Sequence, residues 1–247
     1  VDQIVAAADL GPDDQVLEVG PGIGTLTQGL AQSGACVKAI ELDQRLLEVL
    51  DTTLESYDNV DIIHGDVLKL NVPEIMDHKP FKVVANLPYY ITTPIIMSLL
   101  EAKLPIERLV VMVQREVALR MVAQPGTKDY GALSVAVQYY TEPDIVLEVP
   151  PKAFMPAPAV TSAVIRCRLR QKPPVHVDDE RIFFRVVKAA FAQRRKTFSN
   201  SMKTTGLSKE QIAAILEQAG IDGQRRGETL GLQEFADLAN TWCQLYK

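Results

Sequence analysis

The sequence has few cysteines and histidines and no long apolar run. It holds three cysteines, Cys36, Cys167 and Cys243, without CxxC spacing, and three scattered histidines in 247 residues. This pattern argues against a disulfide framework or a zinc site, so we expect a reducing compartment, the cytoplasm, and no bound metal. A membrane-spanning helix needs about 20 apolar residues, and no apolar stretch of the sequence approaches that length. The first residues do not resemble a signal peptide. We therefore expect no membrane partner.

Hydrophobic residues make up 47% of the chain and charged residues 23%, which predicts a folded core and excludes a disordered or fibrous protein. The length suffices for a main domain of ~150 residues and a smaller one. Because the chain begins with Val1 inside a predicted helix, we also expect residues to precede it.

Charge is distributed unevenly along the chain. Residues 1–165 hold 11 basic and 22 acidic side chains, whereas residues 166–247 hold 15 basic and 9 acidic ones. The net charge is therefore −11 in the first segment and +6 in the second. A basic C-terminal third on an acidic body is typical of contact with a polyanion, although an ordinary solvated surface explains this composition equally well.

Short β-branched runs alternate with helical stretches through the first 114 residues. The runs are continuously apolar, as parallel strands buried on both faces are. The alternation predicts a doubly wound α/β sheet. The predicted strands cover residues 15–20, 35–43, 60–66, 81–86 and 107–114, and the predicted helices cover 24–34, 44–56 and 91–102.

The order of elements changes after Gln114. Residues 115–123 are predicted to be helical, and 133–141 and 162–170 to be strands joined by a proline-rich extended loop, which predicts an antiparallel edge on the sheet. Residues 171–178 are predicted to be a linker, and three helical stretches follow near 179–196, 208–219 and 231–244. We expect an α/β domain over 1–170 and a small all-α domain over 179–247.

A glycine-rich loop, Glu18-Val-Gly20-Pro-Gly22-Ile-Gly, follows the first predicted strand. Its glycines allow a sharp turn and a close approach of a ligand to the next helix N-terminus. The GxGxxG pattern of dinucleotide sites fails, because its third position falls on Thr25 or Thr27, and no Lys-Ser/Thr pair marks a P-loop. The pattern suits a compact cofactor without a pyrophosphate, and S-adenosylmethionine is the leading candidate.

Two acidic residues follow the next two strands. Glu41 closes the second strand, 21 residues after Gly20, where a carboxylate can accept both ribose hydroxyls. Asp66 follows the third strand and can accept the exocyclic amine of an adenine. Taken singly, each acid is better explained as a helix N-cap or a loop residue. Together with the glycine loop, they favour a nucleoside site at the carboxyl ends of adjacent strands.

The fourth predicted strand ends in Asn86-Leu87-Pro88-Tyr89-Tyr90. A turn with this sequence can place an amide oxygen, a backbone carbonyl and an aromatic ring in one pocket. Methylation of an aromatic amine needs these groups, because the amine lone pair is delocalised into its ring and is a poor nucleophile. The Asn86 side chain and the Leu87 carbonyl would hold the amine hydrogens and Tyr89 would stack on the base, so that catalysis is mainly orientation and electrostatics. A plain proline turn is the alternative. The competing reaction, cytosine C5 methylation, needs a nucleophilic cysteine, usually in a loop. The three cysteines lie in predicted strands or a helix, so they are better explained as buried structural thiols.

Several motifs together resemble those of the KsgA-like ribosomal RNA adenine N6,N6-dimethyltransferases. The resemblance spans most of the chain and rests on EVGPGIGTLT, IELD, GDVL, NLPYY, QREVA, YGALS, the Phe154-x-Pro-x-Pro-x-Val-x-Ser162 loop and FAQRRK, in this order. The proline run EVPPKAFMPAPAV and the FAQRRKT segment look more like the bacterial small-subunit enzyme than its macrolide-resistance relatives, which act on large-subunit rRNA.

The resemblance implies a class I methyltransferase fold and S-adenosylmethionine-dependent dimethylation of N6 of two adjacent adenosines in the 3′-terminal hairpin of small-subunit rRNA. We expect a monomer acting on an assembling 30S particle, with residues 1–170 catalytic and 179–247 binding RNA. Phe154 would give the second stacking face for a flipped adenine, or else be a hydrophobic plug under the proline loop. The implied catalytic residues are Asn86, Leu87, Pro88, Tyr89 and Phe154. The implied cofactor contacts are Glu18, Gly20, Gly22, Glu41, Leu42, Asp66, Val67 and Asn86.

Family members carry an upstream basic segment with a Gln-Asn-Phe-Leu motif that closes over the methionine part of the cofactor, and residues 1–247 lack it. We therefore expect a pocket open on that side, with weak cofactor binding and slow methyl transfer. Two alternatives are an adenine methyltransferase of the resistance type and a non-catalytic RNA-binding factor with this fold. The intact Asn86 and Tyr89 favour an enzyme.

The predicted helix near 179–196 has a cationic face opposite an apolar stripe on the helical wheel. The spacing i, i+4, i+7 and i+14 places on that face Arg181, Arg185, Lys188 and Arg195. The stripe consists of Phe183, Val186, Val187 and Ala190. A basic cluster ends the helix, where the helix dipole alone favours cations, so helix termination explains part of it. The net charge of the region favours phosphate contact and salt-dependent binding. The expected RNA contacts are Arg181, Arg185, Lys188, Arg194, Arg195 and Lys196.

Overall fold

The computed structural model describes residues 1–154, 157–193 and 195–246. The chain forms two compact units. The sheet unit consists of Val1–Ala118 and Glu142–Leu169, and the helical unit consists of Leu119–Thr141 and Arg170–Lys247. Among the residues described, no helix is both long and apolar enough to span a bilayer.

The sheet has seven strands: β1 (Gln15–Val19), β2 (Cys36–Glu41), β3 (Val60–His64), β4 (Phe81–Asn86), β5 (Ile106–Gln114), β6 (Thr141–Val149) and β7 (Ser162–Leu169). Their order is β3-β2-β1-β4-β5-β7-β6. The first five strands pair in parallel, and β7 runs antiparallel to β5. The predicted doubly wound sheet with an antiparallel edge is confirmed.

The chain reverses its direction of growth at β1, which lies between β2 and β4. Open parallel sheets bind ligands at such a switch point, in the crevice outside the carboxyl ends of the strands. The glycine loop leaves β1 at this point. The topology therefore places the loop where a cofactor site is expected.

The first helix of the sheet unit precedes β1, and the other helices follow strands. All were predicted except the short helix at 72–75, which lies in a segment that the sequence predicts to be a loop. The helices of the sheet unit are α1 (Asp2–Ala8), α2 (Thr25–Gln32), α3 (Leu47–Thr53), α4 (Val72–Ile75), α5 (Thr92–Glu101) and the first half of α6 (Arg115–Val122). The inner strands are buried on both faces: Val83, Val84 and Ala85 of β4 are fully inaccessible to solvent. Lys82 is also buried, and its Nζ donates to the Asp9 carbonyl at 2.6 Å and to Asp14 Oδ2 at 2.8 Å. These bonds satisfy its ammonium group, which burial would otherwise disfavour.

The strand predicted over 133–141 is wrong. Residues Ala132–Tyr140 form helix α7, and the strand β6 (Thr141–Val149) occupies the first part of the segment after residue 141 that the sequence predicts to be an extended loop. Leu133 through Val137 are all buried, so the helix has no polar face over these residues to reveal its 3.6-residue period. β-branched and aromatic residues then suggest a strand. The backbone N–H of Gly131 donates to Ser134 Oγ at 3.0 Å and secures the start of α7.

The helical unit contains α7, the last half of α6 and four further helices: α8 (Glu180–Ala192), α9 (Phe198–Met202), α10 (Lys209–Ala219) and α11 (Leu232–Tyr246). The predicted apolar stripe of α8 is buried, and it packs with Phe198, Phe235 and Trp242 in one cluster. Residues 171–178, the predicted linker, contain neither helix nor strand.

The helical unit is larger than the predicted all-α domain, because it includes Leu119–Thr141. The prediction assigned these residues to the α/β domain. Helix α7 packs on α8, and the rings of Tyr139 and Phe183 stack with centroids 4.8 Å apart. The sheet unit ends at Leu169, one residue before the predicted end of the α/β domain at residue 170.

Candidate active site

The glycine loop between β1 and α2 adopts a backbone that favours glycine. Gly20 has φ +71° and Gly22 has φ +61°, both in the left-handed region. The N–H of Gly20 donates to the Ile40 carbonyl at 2.9 Å, which attaches the loop to the end of β2. No atom lies within 4 Å of the position that a Cβ on Gly22 would take. The loop therefore leaves open space above the sheet at this residue.

Glu41 ends β2 and is buried beneath the glycine loop. Its Oε2 accepts from the N–H of Gly22 at 3.2 Å, and its Oε1 accepts from the N–H of Asp43 at 2.8 Å. Each carboxylate oxygen has a second lone pair for a ligand hydroxyl. Glu41 thus holds the loop in place and still presents acceptors to the crevice.

A cavity of about 390 Å³ lies beside Glu41. Asp66 lines it, with Oδ1 accepting from the N–H of Leu68 at 3.0 Å and Oδ2 lying 3.6 Å from Lys69 Nζ. Two carboxylates and several apolar side chains in one crevice suit a ribose and an aromatic base. The predicted site residues that line this cavity are Gly20, Glu41, Leu42, Asp66, Val67 and Pro88.

A second cavity, of about 660 Å³, shares Gly20 with the first. The other predicted residues on its wall are Glu18, Gly22, Asn86 and Phe154. The sheet unit therefore gathers the predicted cofactor residues around two cavities that meet at the glycine loop. Together these cavities provide the carboxylates and the space that a nucleoside with a short charged tail requires.

Glu18 is the most perturbed acid of the site. It is 1% exposed, and its Oε2 has no hydrogen-bond partner among the described residues. Burial raises the pKa of Glu18 to about 8. The Thr27 hydroxyl partly opposes this rise, and the negative charge of Glu41 adds to it by a smaller amount. A cationic ligand in the cavity would favour the ionised carboxylate.

The turn after β4 presents the predicted reactive residues. The buried Leu87 donates its N–H to the Met112 carbonyl at 3.2 Å, and Thr92 Oγ1 donates to the Pro88 carbonyl at 3.0 Å. Asn86 is exposed, and no described residue is hydrogen-bonded to its side-chain amide or to the carbonyl oxygen of Leu87. The turn is thus fixed by its other groups, whereas the two acceptors proposed for the target amine are unpaired.

Sequence comparison decides the family. A family model described as ribosomal RNA adenine dimethylase matches residues 1–242. This chain belongs to that family. Its reaction is S-adenosylmethionine-dependent dimethylation of adenine in ribosomal RNA, which confirms the predicted enzyme class and cofactor.

Curated relatives of this dimethylase are named ribosomal RNA small subunit methyltransferase A. The one from Geobacillus kaustophilus is 54% identical over 254 residues, covering 99% of this chain and 86% of the relative. The one from Alkaliphilus metalliredigens is 51% identical over 244 residues, covering 96% of this chain and 85% of the relative. The small-subunit type of the family, which the sequence predicted, is therefore confirmed.

Two solved structures share the fold of the dimethylase. A dimethyladenosine transferase from Plasmodium falciparum superposes with a TM-score of 0.82 at 24% identity, covering 98% of this chain and 94% of that one. The 23S rRNA methyltransferase ErmE superposes with a TM-score of 0.72 at 29% identity, covering 98% of this chain and 96% of that one. These neighbours confirm the predicted class I methyltransferase fold.

The predicted RNA contacts of the dimethylase lie in the helical unit. Arg181 is hydrogen-bonded through its guanidinium to Asp179, which also caps α8. Arg185 donates to the Thr205 carbonyl, and its guanidinium lies 5.1 Å from the ring centroid of Trp242. Both arginines are therefore engaged within the protein, although their side chains remain exposed.

The other predicted RNA contacts differ in position from the helical-wheel prediction. Helix α8 ends at Ala192, so Arg195 lies beyond it and not on its cationic face. Gln193 has φ −137°, so the helix ends four residues earlier than expected. Lys188, Arg195 and Lys196 are exposed, and their side chains make no hydrogen bond or ion pair with any residue described. Arg194 lies outside the described residues.

Two residues of this site escaped the sequence prediction. Ser162 appeared only as a motif residue, but its Oγ lies 2.5 Å from the Tyr89 hydroxyl oxygen. Met112 accepts the Leu87 N–H and lines the larger cavity. The position of Ser162 in the proline-loop motif was the available signal, whereas nothing in the sequence singles out Met112.

Proposed function

We propose that this dimethylase modifies N6 of two adjacent adenosines in the 3′-terminal hairpin of small-subunit (16S) rRNA, on an assembling 30S particle. The names of its relatives support the small-subunit rRNA. The observation that carries the chemistry is the pair of unpaired acceptors, Asn86 Oδ1 and the Leu87 carbonyl oxygen, on a turn fixed by its neighbours. An exocyclic amine has two hydrogens, and these two acceptors match them.

The cofactor lies along the glycine loop in this proposal. Glu41 accepts the ribose hydroxyls, and Asp66 accepts the adenine amine in the smaller cavity. Glu18 faces the larger cavity, where its buried carboxylate complements a cationic group. The remaining proposed contacts of the cofactor are Gly20, Gly22, Leu42, Val67 and Asn86.

The target adenine lies at the turn after β4. S-adenosylmethionine, when bound, supplies an electrophilic methyl group on a sulfonium. Asn86 and the Leu87 carbonyl accept the two N–H hydrogens, favour a tetrahedral nitrogen and direct its lone pair at the methyl carbon. The nitrogen would become cationic as the N–C bond forms and the bond from the methyl carbon to sulfur breaks, with a neutral thioether as the leaving group, and the nitrogen would lose its proton to solvent afterwards. No strong base is therefore needed before attack.

Two rings enclose the adenine in this proposal. Tyr89 stacks on one face, and Pro88 shapes the turn that presents it. Phe154, half-buried on the wall of the larger cavity, packs against the apolar cluster that contains Ile4 and Leu26 and offers a second face. A base flipped out of its stack can be held between two such faces.

The helical unit binds the rRNA backbone in this proposal. It holds 15 basic and 10 acidic residues, a net charge of +5, so the charge asymmetry of the sequence persists in the folded units. Lys188, Arg195 and Lys196 are the strongest candidates because their side chains are exposed and unpaired within the described chain. Arg181, Arg185 and Arg194 complete the proposed contacts.

We also propose that the enzyme acts as a cytoplasmic monomer without a metal. The cytoplasm follows from an rRNA substrate. A metal is not required, because the sulfonium already activates the methyl group. Each unit buries its own apolar cluster, which supports a monomer.

The decisive experiment incubates the protein with methyl-labelled cofactor and, in parallel reactions, with immature small subunits or with large-subunit rRNA, and then maps the modified nucleotides. We expect two methyl groups on each of two neighbouring adenosines near the 3′ end of the small-subunit rRNA. Label on large-subunit rRNA alone would instead indicate the resistance-type activity. Cofactor binding in calorimetry without methyl transfer to either RNA would indicate a non-catalytic RNA-binding protein.

A further inference from the structure

The hydroxyl group of Tyr89 has a partner that base stacking does not require. Its Oη lies 2.5 Å from Ser162 Oγ, across 73 residues of sequence. Ser162 is fully buried and is the first residue of β7, where it pairs with Gln114 of β5. The tyrosine ring is thus tied to a rigid position in the sheet.

A ring that only stacks could equally be phenylalanine, because the stacking face is the same. The Tyr89 side chain is half-buried, and it follows Pro88 in a turn without regular secondary structure. Without the hydroxyl contact, its ring could rotate about two side-chain bonds. The bond to a buried serine removes this freedom before the base arrives, and such preorganisation raises the rate of a reaction that depends on orientation.

Ser162 also connects the two proposed stacking faces. Phe154 precedes Ser162 by only eight residues in the sequence, so the residue that holds Tyr89 follows the opposite ring closely along the chain. Phe154 is held separately, because it packs against the buried apolar cluster of the sheet unit, as Leu147 and Val149 of β6 also do. Phe154 and Ser162 are therefore both anchored in the sheet unit.

We propose that Ser162 is a positioning residue that fixes the Tyr89 ring relative to Phe154 and so sets the slot for the target adenine. This inference rests on the proposed function of Tyr89 as a stacking face. Ser162 itself touches neither the adenine nor the cofactor. It acts through the tyrosine hydroxyl alone.

A double-mutant cycle with Ser162→Ala and Tyr89→Phe tests the inference. Either change removes the hydrogen bond and keeps the ring, so each should lower kcat by a similar factor, about tenfold. The double variant should be no slower than the single ones, and the Kd for S-adenosylmethionine in calorimetry should stay at the wild-type value. Ser201→Ala is the matched control, because Ser201 is also fully buried but its Oγ has no partner among the described residues.

Three outcomes would overturn the positioning role. The first is a Ser162→Ala variant with wild-type kcat. The second is a double variant whose loss of kcat equals the product of the two single losses. The third is a loss of kcat that merely parallels a loss of cofactor affinity and melting temperature. Because the cycle uses ratios of variants to wild type on whichever RNA is methylated, it is independent of the choice of substrate. A wrong proposed function appears separately, as wild-type enzyme that does not methylate small-subunit rRNA.

Discussion

Three polar groups near the carboxyl ends of β1 and β4 lack hydrogen-bond partners among the described residues. They are Glu18 Oε2, the Asn86 amide and the Leu87 carbonyl oxygen. Most buried polar groups in folded proteins are paired, and an unpaired buried carboxyl such as that of Glu18 is costly, whereas the exposed Asn86 amide is simply accessible to a ligand. The site tolerates these groups where a ligand can satisfy them. The unpaired atoms thus mark the positions at which cofactor and target amine are proposed to bind.

Replacement of Asn86 separates chemistry from cofactor binding. Asn86→Ala removes one of two acceptors for the amine and leaves Glu41 and Asp66 in place. We expect kcat for methyl transfer to fall by about 10² to 10³, with the Kd for S-adenosylmethionine unchanged. Asn71→Ala is the control, because the exposed Asn71 amide bonds only the Glu74 side chain. Parallel losses of melting temperature and activity in Asn86→Ala would assign it a structural role.

The raised pKa of Glu18 predicts a pH dependence of stability in the protein without cofactor. Its pKa is about 8 in the folded protein against an ordinary value of 4.5. Between these values the unfolded chain loses the Glu18 proton and the folded chain keeps it. The free energy of unfolding should therefore fall as the pH rises from about 4.5 to about 8, and the full contribution is present only below this window.

Glu18→Gln is neutral at every pH and removes this dependence. We expect the variant to gain stability relative to wild type as the pH rises from 5 to 8, by on the order of a few kcal/mol at the upper end. Denaturant unfolding of both proteins at several pH values measures the difference. If the two stability profiles run parallel, Glu18 is ionised in the folded protein, and its pKa is not raised.

At the scale of elements, the helical unit contains a close approach of backbone to helix at Gly227. The backbone of Gly227 lies against α8, and a Cβ there would come within 2.5 Å of the Ala190 carbonyl oxygen. Gly227→Ala must push the short 3₁₀ helix Gly227–Thr229 away from α8, and we expect a loss of about 1–3 kcal/mol in the free energy of unfolding. In the control Gly131→Ala, no atom lies within 4 Å of the new methyl group. Equal unfolding free energies for the two variants would contradict the predicted clash.

The type of an element could be predicted from the sequence where one of its faces is polar. A helix without a polar face could not be recognised as a helix. The stripe of α8 was predicted correctly because its exposed side carries charges between Phe183 and Ala190. Helix α7 was misassigned because its residues are buried around most of its circumference. The end of α8 was placed too late, because the basic residues after Ala192 continue the helical spacing of charges although the backbone has left the helix.

At the scale of the whole molecule, the sequence predicted which residues line the cavities, since carboxyl ends of parallel strands meet at one edge of the sheet. The glycine loop, Glu41, Asp66 and Asn86 follow this rule. The bond between Tyr89 and Ser162 does not, because it depends on the register of an antiparallel strand 73 residues away. The inclusion of 119–141 in the helical unit likewise depends on packing against α8, which spacing in the sequence does not reveal.

The charge difference between the units predicts where RNA affinity originates. Reversal of Lys188, Arg195 and Lys196 to Glu should weaken binding of small-subunit rRNA by more than about tenfold at low salt. It should also reduce the slope of log affinity against log salt by about 2, since each lost phosphate contact removes about 0.7–0.9. The control reverses Lys79, Lys103 and Lys209, which are exposed and change the net charge equally. Equal losses in the two triple variants would show that RNA responds to net charge alone. A selective loss in the first variant, with cofactor affinity unchanged, would locate the phosphate contacts on the surface of Lys188, Arg195 and Lys196.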